Sequence, residues 1–158
     1  MVDIKKELLA PCGLYCGVCA IYIADRDGNH KFKEAIKNSH VYKAFVESIE
    51  DVKCKGCQSE DNDDIFGYCK ECKIRDCVHE KKIESCYKCE DVPCKWLQKF
   101  PIPVGRKVIM RALPYWREHG TQKWIEHEEL RYRCPECGNH LYRGAIKCNK
   151  CKKNVSID

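Results

Sequence analysis

The stretch YRCPECGNHLYRGAIKCNKCKKN (residues 132–154) sets two CxxC pairs ten residues apart and places Gly138 directly after the first pair. This spacing lets two thiolates on one tight turn reach the same metal ion, and a second pair folded onto the first closes a tetrahedral four-sulfur site. The glycine supplies the left-handed backbone conformation that such a turn commonly needs. Cys134, Cys137, Cys148 and Cys151 are therefore expected to hold one ion. Two short strands are expected between the pairs, around Leu141 and Tyr142 and around Gly144 and Ile146. A segment of about 25 residues cannot supply a core of its own, and a structural ion replaces it at a stabilisation on the order of ten kcal/mol.

Such a module is similar to a zinc ribbon, and its CxxC signature recurs upstream in CKGC (54–57), CKEC (69–72) and CYKC (86–89). Fifteen cysteines in 158 residues belong either to a secreted disulfide scaffold or to an intracellular metal protein. Repeated CxxC pairs and an odd cysteine count favour metal. The opening MVDIKKELLA is charged and has no apolar run of signal-peptide length, so a reducing cytoplasm is expected. No run approaches the roughly 18–20 apolar residues of a membrane span, so no membrane partner is expected. The hydrophobic fraction of 44% counts the cysteines, which leaves little for a core and implies that metal helps to hold the chain together.

The stretch PCGLYCGVCA (11–20) presents Cys12, Cys16 and Cys19, one thiolate short of a closed site. In the simplest partition Cys54, Cys57, Cys69 and Cys72 form one site, and Cys77, Cys86, Cys89 and Cys94 another. The trio then draws a fourth ligand from Cys77, His79 or His30, or it stays open. Cross-braced arrangements interleave ligands, so spacing does not force this pairing. Three to four Zn²⁺ sites are expected, with an iron–sulfur cluster as the alternative at Cys12, Cys16 and Cys19. CxxxCxxC is also the spacing by which radical SAM enzymes hold a cluster, but the βα alternation of their barrel is missing here.

Residues 1–100 carry eleven of the cysteines and a nearly balanced charge; from 101 onward basic residues predominate. Pro101, Pro103 and Gly105 mark the break. The expected organisation is a cysteine-rich metal-binding domain (1–100), a helical linker (101–130) and a zinc ribbon (131–158). The fold class is a small metal-stabilised α+β protein: an α-rich body with zinc knuckles, plus a C-terminal β zinc ribbon. Helices are expected within 30–50, where a break near KNSH is allowed for, and from Cys16 to Ala24, where the trio would share one face. A further helix is expected over 92–100 with Pro93 in its first turn, which places Cys94 at its positive end. Beyond the break, one kinked or two short helices are expected, with Pro114 at the kink, Gly120 as a stop and Thr121 as an N-cap.

CGLYCGVCAIYIA, CKGCQ, CKECKIRDC, SCYKCEDVPCKWLQKF and REHGTQKWIEHEELRYRCPECG resemble, in order, the pattern of the prokaryotic cysteine-rich domain-of-unknown-function family 3795, some members of which carry a C-terminal zinc ribbon. The resemblance implies a small cytoplasmic cysteine-rich protein and brings no activity, substrate or partner.

The formal charge of +5 assumes neutral thiols. Each Zn²⁺ held by four thiolates carries −2, so three such sites bring the balance to about −1 and remove the global argument for nucleic acid. A local one remains, because Arg106, Lys107, Arg111, Arg117, Lys123, Arg131, Arg133, Arg143, Lys147, Lys150, Lys152 and Lys153 interleave with Trp116, Trp124, Tyr132 and Tyr142. Tryptophans at helical spacing also suit a core. Asp25 and Asp27 read as a solvated loop, and SEDNDD (59–64) as an acidic surface loop without the glycine and terminal glutamate of a calcium site. No nucleophile–base grouping stands out. The expected function is a zinc-binding interaction or regulatory module with an unidentified protein partner and no catalysis of its own. The alternatives are a redox or open-site metal enzyme centred on the trio, and a nucleic-acid-binding zinc-ribbon protein.

Overall fold

The computed structural model describes residues 3–158. It is helix-rich, with α1 (Ala20–Arg26), α2 (His30–Lys37), α3 (Gly67–Lys70), α4 (Lys73–Glu80), α5 (Lys95–Gln98) and α6 (Pro103–Arg131) joined by 3-10 turns. Helix α2 starts where the Asn29 side chain accepts a hydrogen bond from the Phe32 amide at 3.0 Å. It ends at Lys37, so the 30–50 stretch breaks near KNSH and continues as turns at Lys43–Phe45 and Ile49–Asp51.

Helix α6 starts with Pro103 in its first turn and departs from helical geometry at Gly120, where φ is 81° and ψ is 170°. Eight residues along a straight helix span about 12 Å. Yet the rings of Trp116 and Trp124 stack at 3.7 Å between centroids, and Arg111 reaches Glu128. The two halves of α6 therefore form a helical hairpin. Pro114, expected at the kink, sits within the first half on its exposed side, where a missing amide hydrogen costs little. The Thr121 hydroxyl accepts from Trp116 Nε1 at 3.0 Å and so ties the two halves together.

The hairpin builds the main core. Val108, Ile109, Ala112, Leu113, Trp116, Trp124 and Ile125 pack with Leu8, Tyr15, Val18, Ile74, Val78 and Leu97, so residues 103–131 share one apolar cluster with the cysteine-rich part. Four aromatic rings run through it. Tyr87 stacks on Trp116, Trp116 on Trp124, and Tyr15 meets Trp124 edge-on at 5.8 Å. A second cluster of Ile21, Ala24, Ile36, Val46, Val52 and Phe66 fills the space under α1 and α2, and Leu141 and Ala145 form a third with Cys134 and Cys148.

Three local expectations change. Cys12, Cys16 and Cys19 do not share a helix: Cys16–Val18 is a 3-10 turn and Cys19 caps α1, in keeping with the low helix propensity of Gly13 and Gly17. Pro93 precedes the short helix α5, whose N-cap is Cys94. The C-terminal segment forms isolated antiparallel bridges, Arg133 with His140 and Lys147 with Asn154, in place of two strands. The reason lies in where the backbone amides bond. The Arg143 amide donates to the Val18 carbonyl at 2.9 Å, and the Ala145 amide closes a turn on Tyr142, so the groups a hairpin would pair are used elsewhere. The fold is thus α-rich with a four-cysteine C-terminal module and no regular sheet among the described residues.

Candidate metal centres

All fifteen cysteines are free thiols. In the C-terminal module, Cys134 Sγ lies 3.6 Å from Cys151 Sγ and Cys137 Sγ lies 3.7 Å from Cys148 Sγ. Zinc–sulfur bonds of about 2.3 Å in a tetrahedron give sulfur–sulfur edges of about 3.8 Å. The four ligand atoms all fall within 4.8 Å of one another, and among the described residues this is the one group of His, Cys, Asp or Glu side chains that converges so closely. The two turns are built alike. The Gly138 amide donates to Cys134 O at 2.8 Å and the Lys152 amide to Cys148 O at 3.1 Å, with φ of 68° and 63°. The backbone amides of Cys151 and Lys150 hold the Cys148 thiol down to about 6, the direction that favours a thiolate ligand.

A second assembly differs from the simplest partition. Cys12, Cys16 and Cys19 line one cavity of about 780 Å³ together with Cys54, Cys57, Cys69 and Cys72. Seven thiols from three separate segments therefore surround a single chamber. Cys57 neighbours both Cys16 and Cys69 in the chamber, so it stands between the opening trio and the 69–72 pair. Burial pushes Cys12 up to about 12 and Cys54 up to about 11, and it raises Cys19 as well. The neighbouring Cys57 thiol, followed by burial, raises Cys16. Such thiols are poor nucleophiles at neutral pH and become thiolates once a metal ion compensates their charge.

Cys77, Cys86, Cys89 and Cys94 line a separate cavity of about 440 Å³. Burial, followed by the charges of Cys12, Cys94, Cys89 and Cys77, pushes Cys86 up to about 12. Neither Cys77 nor His79 lines the chamber of the trio, and His79 Nε2 instead contacts Gln58 Oε1 at 3.1 Å.

Several polar residues hold these loops in place, and their roles are invisible in the spacing. Asp25 does not belong to a solvated loop: it accepts from the Cys54 amide at 3.0 Å and pairs with Lys33 at 2.7 Å, which anchors the 54–57 knuckle to α1. Buried Ser85 donates to Pro11 O at 2.8 Å and the Cys86 amide donates to the same carbonyl, which joins the first loop to the 86–89 knuckle. Arg117 reaches the carbonyls of Tyr87 and Cys89 at 2.7 and 2.9 Å. Arg143 donates to Tyr15 O at 2.7 Å and lines the seven-thiol chamber. The basic and aromatic pattern of the C-terminal part is thus partly internal, with Trp116, Trp124 and Tyr132 buried and Arg111 paired with buried Glu128. The lysines at 147, 150, 152 and 153 are exposed. Among the described residues, no helix is long and apolar enough to cross a membrane.

A family described as protein of unknown function (DUF3795) matches residues 8–99, a segment that ends just before the helical hairpin. No curated protein and no solved structure matches the chain. The matched segment contains both sets of cavity-lining thiols, whereas the four-cysteine quartet lies outside it.

Proposed function

The chain belongs to the DUF3795 family of proteins of unknown function, and from its own residues we propose a zinc-binding protein of the cytoplasm that works as an interaction or regulatory module. The observation behind this is the C-terminal quartet, whose sulfur–sulfur distances of 3.6 and 3.7 Å suit one tetrahedral Zn²⁺. The chemistry of the body points the same way. Burial raises the chamber thiols Cys12, Cys19 and Cys54, which suits them to metal more than to nucleophilic attack. Metal in the cysteine-rich part organises loops that carry little regular structure, and the surface so fixed meets a protein partner.

Contact with nucleic acid ranks second. The exposed lysines of the C-terminal module suit phosphate, while Trp116, Trp124 and Tyr132, three of the four rings that would stack on bases, are in the core. Salt-dependent binding of labelled single-stranded RNA or DNA at micromolar protein would reverse that order.

The test of the zinc assignment is metal content per chain in the intact protein purified without oxygen, compared with Cys134→Ser. One zinc fewer in the variant is expected. Equal zinc in both proteins would place the ion elsewhere and overturn the assignment.

A further inference from the structure

The C-terminal quartet and the seven-thiol chamber differ in a way that carries chemical information. In the quartet the thiols already stand at the edge length of one tetrahedral ion. In the chamber, among the described residues, no three ligand atoms come within 4.8 Å of one another, although seven cysteines line the same cavity. Thiols that converge on a common space but stand too far apart for one ion suit a centre with several metal atoms. In such a centre bridging sulfides separate the metals, and each terminal thiolate binds a different one. The cavity of about 780 Å³ is also larger than a single ion fills.

The chamber has a second feature that the quartet lacks. Arg143, from the turn between the two C-terminal CxxC pairs, lines the cavity among the thiols, and its fixed charge acts on Cys19, Cys16 and Cys12. One guanidinium nitrogen is held by Tyr15 O, whereas Nε is shielded from solvent and has no hydrogen-bond partner. A shielded, unpartnered N–H beside sulfur is costly unless it meets an acceptor. Thiolate or bridging sulfide would provide one, and hydrogen bonds to sulfur are among the features that set the potential of such a centre. Phe66, Trp96 and Phe100 form part of the wall.

We infer that the seven-thiol chamber binds an iron–sulfur cluster of the four-iron class, with its ligands drawn from the opening trio and from the 54–57 and 69–72 pairs, and with Arg143 as the cationic N–H donor that positions and tunes it. The inference rests on the proposal that these thiols serve as metal ligands, and it replaces zinc by a cluster at this one place. It also gives the C-terminal module a task, since the module delivers Arg143 to the chamber.

The experiment uses the full chain purified without oxygen and supplied with ferrous iron and sulfide. Iron, acid-labile sulfide and zinc are measured per chain, together with the visible spectrum and helix content by circular dichroism. Three proteins are compared: the parent, Cys16→Ser with Cys57→Ser, and Cys134→Ser. The parent is expected to bind about four iron and four sulfide more than the Cys16→Ser, Cys57→Ser protein. Cys134→Ser is expected to keep that iron and lose one zinc. Zinc without sulfide in the chamber, or equal iron and sulfide in the parent and the chamber variant, would overturn the cluster while leaving the zinc at the quartet intact. Unchanged zinc in Cys134→Ser would instead count against the quartet alone. If the double variant loses its helix content, Arg143→Met, which keeps every thiol, decides the matter. It is expected to bind the cluster with a midpoint potential shifted to more negative values, because a positive charge and an N–H donor have been removed. An unchanged potential, or no iron–sulfur absorbance in either protein, would overturn the inference.

Discussion

Arg143 and Tyr15 are 128 positions apart, and the guanidinium of the first donates to the carbonyl of the second at 2.7 Å, between two cysteines of the opening trio. With the Arg143 amide on Val18 O at 2.9 Å, this bond fastens the C-terminal module to the loop that carries Cys12, Cys16 and Cys19. Hydrogen bonds from a charged donor contribute about 1.5–3 kcal/mol. Arg143→Ala is expected to destabilise the docked module by that amount. Faster amide exchange at Val18 and across 141–146, with the helical hairpin unaffected, would report it.

Removal of zinc should act locally. The quartet lies in a small cluster of its own with Leu141 and Ala145, and few apolar groups remain there without the ion. Cys148→Ser is expected to unfold 133–155 while α1 to α6 keep their helix content. Amide exchange resolved along the chain distinguishes this from global unfolding. Zinc affinity should also weaken as pH falls, because the ligands must be deprotonated, and Cys148, held near 6 by backbone amides, should be the last to protonate.

Gly56 lies between Cys54 and Cys57 at φ 129°, and a Cβ built there would stand 2.1 Å from the Glu7 carbonyl oxygen. Backbone strain and the displaced Glu7 segment make Gly56→Ala costly, by about 2–3 kcal/mol or more. Gly28 is the control, since its φ is 55° and a methyl group placed there would have no neighbour within 4 Å. Gly28→Ala should cost only about 1 kcal/mol. Denaturant midpoints of the two variants test the difference.

Arg111 and Glu128 join the two halves of the hairpin through two hydrogen bonds, and the Glu128 side chain is fully buried. Arg111→Ala leaves that carboxylate without its partner, at an expected cost of about 3–5 kcal/mol. Arg111→Met combined with Glu128→Leu removes both charges and should recover most of the loss. A double variant as unstable as Arg111→Ala would show that packing around Glu128, rather than the unpaired charge, is what matters.

How much of this was legible in the sequence follows from the range of each interaction. The quartet could be read from CPECG and CNKC because ligand, turn and positive-φ glycine all lie within a few residues of one another. The break at Gly120 and the tryptophan core were legible for the same reason. The grouping of the trio with Cys54, Cys57, Cys69 and Cys72 was not. It depends on contacts such as Asp25 with the Cys54 amide and the Gln58 amide with Glu7 O, which join segments tens of residues apart. The two expected ribbon strands failed for a related reason, since the Arg143 amide was taken up by Val18 O, a partner outside the module.

Metal binding by the cysteines of this chain is expected most clearly at Cys134, Cys137, Cys148 and Cys151. X-ray absorption at the zinc edge of the protein, purified without oxygen, tests it most directly. A shell of four sulfurs at about 2.3 Å is expected, with one zinc per chain fewer in Cys134→Ser. A folded chain with no zinc, or with a shell made chiefly of nitrogen and oxygen, would contradict it.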